Sequence, residues 1–344
     1  MNLGWKEIKR NKIRFVILGS IVFLVSLLTF MISGLANGLS QDNAALIKNL
    51  PDGTLYLEAE AEGNYSFSSI DSEFQEDLLA MSDEVTAFSI QMGFVDDQDD
   101  KQHSVAFVTS TASDDFAHAD HGEVILDQSL KEDGIAVGDI LTNQQFDGEL
   151  EVVGFVEESK FSHAPVAYIN IQDYQDMYRT ESLQILYTPE EQAAINTEHL
   201  QAYSPAEFLN TIPSYQAEQL SLNMIIWFLV VISGMLFGIF FYMMNVQKIG
   251  LYGILKAVGV KTSALFKMIW LQMLLITIIA LAFSISLSHL FNLFAPAGMP
   301  FHLTAITTIQ LSVIFLIIGF AGATISGFQI KKAEPLQAIQ QGES

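Results

Sequence analysis

The chain contains no cysteine. Disulfides, thiolate catalysis and Cys-ligated metal or haem are thereby excluded, although the compartment stays open. There is no G-x-x-x-x-G-K-[ST] phosphate loop either, so the chain cannot hydrolyse ATP by that route on its own, and no serine sits in a G-x-S-x-G elbow. Positive charge is scarce as well: 16 Lys and Arg face 39 Asp and Glu, for a net charge of -23. These absences predict a protein that is not an enzyme, holds no metal or cofactor of its own and has no nucleic-acid partner.

The few basic residues are placed in a way that defines topology. Lys6, Lys9, Arg10, Lys12 and Arg14 precede a run without charge from Phe15 to Gln41. About 20 apolar residues cross a bilayer as helix, and a basic flank stays cytoplasmic. A cleaved signal peptide would have a shorter apolar core and an A-x-A-like site, and neither is found here. Three more uncharged segments follow: Leu220 to Gln247, Met268 to Phe301 and His302 to Ile330, the last two divided by a turn at Pro296 to Pro300. Between Asp42 and Gln219 there are 36 acids and 5 bases, whereas the rest of the chain has 3 acids and 11 bases. By the positive-inside rule the acidic segment is outside the cell and both termini are cytoplasmic.

The expected organisation is a polytopic α-helical membrane protein of the cell membrane. It has a cytoplasmic N-terminus (1–14), a first transmembrane helix (15–41), an extracellular α+β domain (42–219) and a second span (220–247). A cytoplasmic helix (248–267), a third span (268–294), a fourth (304–330) and a tail (331–344) complete it. Within the inserted domain, β-branched and aromatic runs predict strands at Thr54 to Leu57, Val85 to Ile90, Ser104 to Thr109, Glu151 to Val156 and Ala167 to Ile171. Helical patterns fit Ser72 to Met81, Ile171 to Tyr178 and Pro205 to Thr211. The histidines are scattered, and the acidic run Asp96 to Asp100 lacks the spacing of a calcium loop.

Small residues recur at four-residue spacing in the spans, as Gly34 and Gly38, Gly234 and Gly238, and Gly319, Ala323 and Gly327. Such stripes allow close helix contact within a subunit or across a homodimer. Between spans two and three, Ile249, Tyr252 and Leu255 recur at helical spacing beside Lys248 and Lys256. That pattern fits either a basic interfacial helix on anionic lipid or a protein-docking helix. Gly259 is expected to end this helix and Thr262 to cap the next.

The whole chain resembles the MacB/FtsX type of ABC-transporter permease. The resemblance is carried by GEVILDQSLKEDGIAVGDIL at Gly122 to Leu141, EVVGFVE at Glu151 to Glu157, GILKAVGVKT at Gly253 to Thr262 and AEPLQAI at Ala333 to Ile339. Within that type it is similar to the haem-exporter permeases of Gram-positive bacteria, through ISGLANGL at Ile32 to Leu39, IPSYQAEQLSLNM at Ile212 to Met224 and FYMMNVQKIGLYGILKAVGVKT at Phe241 to Thr262. The resemblance implies a permease homodimer in the lipid bilayer, driven by a separate HrtA-like cytoplasmic ATPase that binds the ATP. Haem is the implied transported substrate. Ile249, Tyr252, Leu255 and Lys256 become the ATPase-coupling helix.

Given that implication, Glu218, Met31 and Tyr215 are the haem-binding candidates. Glu218 sits at the edge of an uncharged run, where a carboxylate is costly unless paired, hydrated or bound to a cation. Met31 shares a helical face with Gly34 and Gly38, a flat strip on which a porphyrin could lie, with methionine sulfur, carboxylate or phenolate reaching iron. Related permeases also export peptides, lipids or antibiotics, or relay ATP hydrolysis to an extracellular partner as FtsX-like proteins do. Those alternatives stay open at this stage.

Overall fold

The computed structural model describes residues 12–81, 85–111, 114–189, 199–295 and 299–331. The first eleven residues, the 296–298 part of the expected turn and the AEPLQAI tail lie outside them. Helix α1 (Lys12–Lys48) leads into strand β1 (Thr54–Glu58), helix α2 (Ser72–Met81), strands β2 (Thr86–Asp96), β3 (Gln102–Ser110) and β4 (Glu123–Asp127), and helix α3 (Ser129–Glu132). Strands β5 (Ile140–Asn143), β6 (Phe146–Val156), β7 (Lys160–Phe161) and β8 (Ala164–Ile169), helix α4 (Ile171–Tyr178), and strands β9 (Ile185–Thr188) and β10 (Leu200–Tyr203) follow. Helices α5 (Pro205–Thr211), α6 (Pro213–Val246), α7 (Ile249–Ala257), α8 (Thr262–Phe294) and α9 (Ala305–Lys331) end the described chain. Two compact units result, one of residues 1–38 and 221–344 and the other of residues 39–220.

The second unit is the α/β domain inserted between the first and second long helices. Its strands run in the order β10-β1-β9-β2-β3-β8-β4-β6-β5, with β7 hairpinned onto β8. Most pairs are antiparallel, while β3 with β8 and β4 with β6 are parallel. Successive side chains of β3 point to opposite faces of the sheet. Ala106 and Val108 accordingly join a core with Leu55, Phe88, Phe161 and Phe208, whereas Val105 and Phe107 join another with Leu126, Leu150 and Val152. The central strands are covered on both faces and read as continuous apolar runs.

Helix α1 does not stop where its uncharged run stops at Gln41. Ala44, Leu46 and Ile47 are buried in the first of these cores, so the last turns of α1 belong to the inserted domain and continue to Lys48. At the other end of the domain, α5 starts with a reciprocal cap: Ser204 Oγ accepts from the Glu207 backbone N–H, Glu207 reaches back to Ser204, and Pro205 fills the first turn.

The other unit is helical, and four of the helices are long and apolar enough to cross a membrane. Helix α8 is the most buried of them, with Ile269, Gln272, Met273, Thr277 and Ser284 fully enclosed, whereas most residues of α6 are exposed or half-buried. Polar side chains fix the contacts, because a hydroxyl or amide in lipid needs a partner. Ser26 and Ser284 hydroxyls lie 2.6 Å apart, the Asn37 amide donates to Thr307 Oγ1 at 3.1 Å, and the Thr308 hydroxyl meets His289 Nε2 at 3.3 Å.

Candidate functional site

In the α/β unit, the C-terminal turns of α1 meet the first turns of α6. Ser40 and Asn43 share one face of α1, and Tyr215 and Glu218 share one face of α6, each pair at i,i+3 spacing. The Ser40 hydroxyl donates to the Tyr215 phenol at 3.2 Å, and the Asn43 amide donates to Glu218 Oε2 at 3.1 Å. Lys48 folds back along α1 to donate to the Ser40 carbonyl at 3.0 Å and to its hydroxyl, placing its ammonium 5.4 Å from the centre of the Tyr215 ring.

The third wall is the turn between β7 and β8. Phe161 pairs with Ala164, and the two residues between them, Ser162 and His163, have φ of 49° and 65°. This is a type I′ hairpin turn, usually built from Asn and Gly because both central residues take positive φ. The Ser162 and His163 amides donate to the carbonyls of Asn43 and Asp42, and Lys160 pairs with the Asp42 carboxylate at 3.1 Å. The turn is thus fastened to α1, and it brings His163 Nε2 to 3.3 Å from Glu218 Oε2 and 3.2 Å from Asn43 Nδ2. Asn43 is fully buried, while the Glu218 and His163 side chains are 21% and 42% exposed.

Of the haem candidates, Glu218 and Tyr215 are therefore brought into one cluster, each already engaged by other side chains. Sequence reasoning missed Asn43, Ser40 and Lys48; His163 was one of the scattered histidines and, with His289, a possible haem ligand by residue type alone. Met31 is partly buried against the core of the helical unit. The strip beside it is not open: a side chain at Gly34 would strike the Phe301 ring, and one at Gly38 would strike the Pro300 backbone. The His302 amide also donates to the Gly34 carbonyl at 2.9 Å. Gly34 and Gly38 are closely packed against the Pro300–Phe301 segment inside one subunit.

Helix α7 also departs from expectation. Tyr252 is fully buried, its hydroxyl donates to Asn245 Oδ1 at 3.0 Å, and the Asn245 amide donates to Ser326 Oγ at 3.1 Å. Leu255 packs on the same core. The exposed apolar face is Leu251, Ile254 and Val258, with Ile249 at its edge and Lys256 half-buried. Tyr252 and Leu255 anchor the helix to the bundle, because a phenol in this setting needs a buried partner, and so the surface they were expected to offer lies on the opposite face. The helix ends as expected at Gly259, φ 95°: Gly259 N–H donates to the Lys256 carbonyl and Val260 N–H to that of Leu255, a Schellman motif. Thr262 is the first residue of α8, with Lys261 at the cap position.

Other polar clusters have structural roles. His121 Nδ1 lies 2.5 Å from Asp173 Oδ1, and the buried Asp173 also accepts from the Gly122 amide at 2.8 Å. Asp97 closes the β2–β3 turn by accepting from the Asp99 and Lys101 amides at 2.9 Å and from His103 Nε2 at 2.9 Å. Those bonds hold its carboxyl below the usual range, the His103 bond contributing most. Among the described residues, no set of three His, Cys, Asp or Glu side chains converges as a metal cluster.

Four helices long and apolar enough to cross a membrane, with an α/β domain inserted between the first and second, define a polytopic membrane protein. A family described as FtsX-like permease C-terminal matches residues 223–335. A relative from Staphylococcus haemolyticus, named as a hemin transport system permease protein, HrtB, is 30% identical over 98% of this chain and 99% of its own. Two Staphylococcus epidermidis relatives with the same name are each 26% identical over the full length of both chains. The chain belongs to the FtsX-like permease family. It is a permease subunit of an ABC transporter, and ATP hydrolysis belongs to a separate subunit. The periplasmic region of MacB from Actinobacillus actinomycetemcomitans is similar over 48% of this chain and 95% of its own, with a TM-score of 0.35 and 11% identity.

Proposed function

We propose that this chain is the permease of an ATP-driven exporter that moves haem from the membrane to the outside and so protects the cell from excess haem. The observation that carries this reading is likeness over 98% of the chain to a protein named for hemin transport. The permease works as a homodimer with an HrtA-like ATPase. Both termini and α7 are cytoplasmic, and the α/β domain is extracellular. That orientation is supported by the 11 bases outside residues 42–219 against 5 within them.

The ATPase engages the exposed face of α7 formed by Leu251, Ile254 and Val258. Displacement of α7 passes through the buried chain of Tyr252, Asn245 and Ser326 to the ends of α6 and α9. Nucleotide shifts the equilibrium between two permease shapes only through a difference in how the loaded ATPase binds each of them. Met31, Tyr215 and Glu218 are the residues proposed to contact haem.

The test has two parts. Cells lacking the chain, in a background with no other haem exporter, become haem-sensitive and recover tolerance on complementation. Purified protein gives a saturable Soret shift with haemin that weakens in Met31→Ala, Tyr215→Phe or Glu218→Ala at equal expression. Unchanged tolerance in the deletion strain sinks the haem reading, and ATPase stimulation by a peptide or lipid would replace it.

A further inference from the structure

One cation stands beside the proposed haem contacts Tyr215 and Glu218. The Lys48 ammonium lies 5.4 Å from the centre of the Tyr215 ring and donates to the Ser40 carbonyl at 3.0 Å and to the Ser40 hydroxyl. A lysine in the last turn of a helix ordinarily serves the free carbonyls there, whereas Lys48 reaches past them to a residue eight positions earlier. The ammonium is therefore held beside Tyr215 and not at the helix end.

An ammonium has three N–H donors, of which Ser40 takes two, and the third is left for another acceptor. Between Asp42 and Gln219 there are 36 acids and 5 bases, and Lys160 and Lys101 pair there with Asp42 and Asp133. Among the described residues no carboxylate pairs with Lys48, and Glu218 is turned to Asn43 and His163. Lys48 is exposed, so an anion from outside the chain can reach it. In so acidic a segment, a lysine tied to its own helix and left without an acid is placed for an anion that arrives with the cargo.

We infer that Lys48 is the anion-binding point of the haem site and takes a propionate carboxylate of the cargo. The inference rests on the haem reading and deepens it. Propionates are ionised at neutral pH, and a carboxylate that accepts from an ammonium makes a charge-assisted hydrogen bond. Tyr215 and Glu218 are left for the rest of the molecule. Recognition then requires a free carboxylate on the tetrapyrrole.

The experiment titrates the purified full chain in nonionic detergent with haemin and with haemin dimethyl ester, which has no free carboxylate, and follows the Soret band. Wild type is expected to bind haemin saturably and the ester roughly tenfold more weakly. Lys48→Met weakens haemin by the same factor and leaves the ester unchanged, whereas Lys48→Arg keeps the charge and recovers most of the affinity. Equal affinity of wild type for haemin and ester, or equal haemin affinity in wild type and Lys48→Met, would overturn the subsite and leave the haem reading standing. Weakening of haemin and ester alike in Lys48→Met would overturn it too, because Lys48 would then act only by holding Ser40 and Tyr215 in place. No saturable haemin binding by wild type would sink the haem reading, and the subsite with it.

Discussion

Helix α7 offers two apolar faces, and exchanging which one is altered separates anchoring from docking. Tyr252→Phe keeps the buried ring and deletes the hydroxyl that donates to Asn245 Oδ1 at 3.0 Å. Side-chain hydrogen bonds in membrane proteins average about 0.6 kcal/mol, and a buried acceptor left unpaired costs about 1–3 kcal/mol. Asn245 is fully buried at the end of α6, so a loss of about 1–2 kcal/mol is expected in the unfolding of detergent-solubilised protein. Val258→Asp acts on a side chain that is 79% exposed, and its effect on stability stays within about 0.5 kcal/mol. The functional outcomes reverse that order. With a charge set into the docking face, Val258→Asp loses co-purifying ATPase and most of the haemin-stimulated turnover in proteoliposomes. Tyr252→Phe retains the ATPase and a reduced but measurable turnover. Full coupling in Val258→Asp, together with loss of ATPase binding in a stably folded Tyr252→Phe, would refute the assignment of faces. It would make the exposed side of α7 a lipid-contacting surface.

The packing of the glycine strip can be tested against an internal control. Gly38→Ala drives a methyl group into the Pro300 backbone, while Gly238→Ala meets nothing within 4 Å. Both gain about 1 kcal/mol of helix propensity, so the difference between their unfolding free energies isolates overpacking of about 1–3 kcal/mol. Equal stabilities would show that the strip is open. For the β2–β3 turn, the Asp97 carboxyl titrates below its ordinary 3.8 in the folded chain. Its contribution is therefore present above the unfolded value and is lost as pH falls through the lower folded one. Thermal midpoints of wild type and Asp97→Asn should differ above pH about 4 and converge below it, and parallel curves throughout would remove Asp97 from the clasp.

Much of the fold was legible because local chemistry and tertiary structure agree. Helix α4 begins at Asn170, whose side chain accepts from Gln172 N–H, and α5 begins at the Ser204 and Glu207 cap, so both could be read from residue types alone. Strand β9 could not. All four of its residues are buried, so the alternation that marks a half-exposed strand is missing. The end of α1 was hidden for a different reason: charge ends a hydrophobic run but not a helix. Only the distant core that receives Ala44 and Ile47 tells how far α1 continues.

The site shows where an apolar pattern ceases to inform. An apolar side chain suits lipid, a partner subunit or the chain's own core equally well, so the stripes Ile249, Tyr252, Leu255 and Leu251, Ile254, Val258 look alike. A polar atom is different, since it must find a partner wherever water is absent. Tyr252 therefore marks the inward face of α7, as Ser284 marks that of α8. Glu218 could be singled out on the same ground, as an acid at the edge of an uncharged run. Its partners could not: Asn43 is 175 positions away and is itself 120 positions from His163. What joins them is a two-residue turn whose positive φ values are carried by Ser and His instead of the usual Asn and Gly. The imidazole of His163 thus stands where a glycine would meet the turn's backbone requirement with less strain.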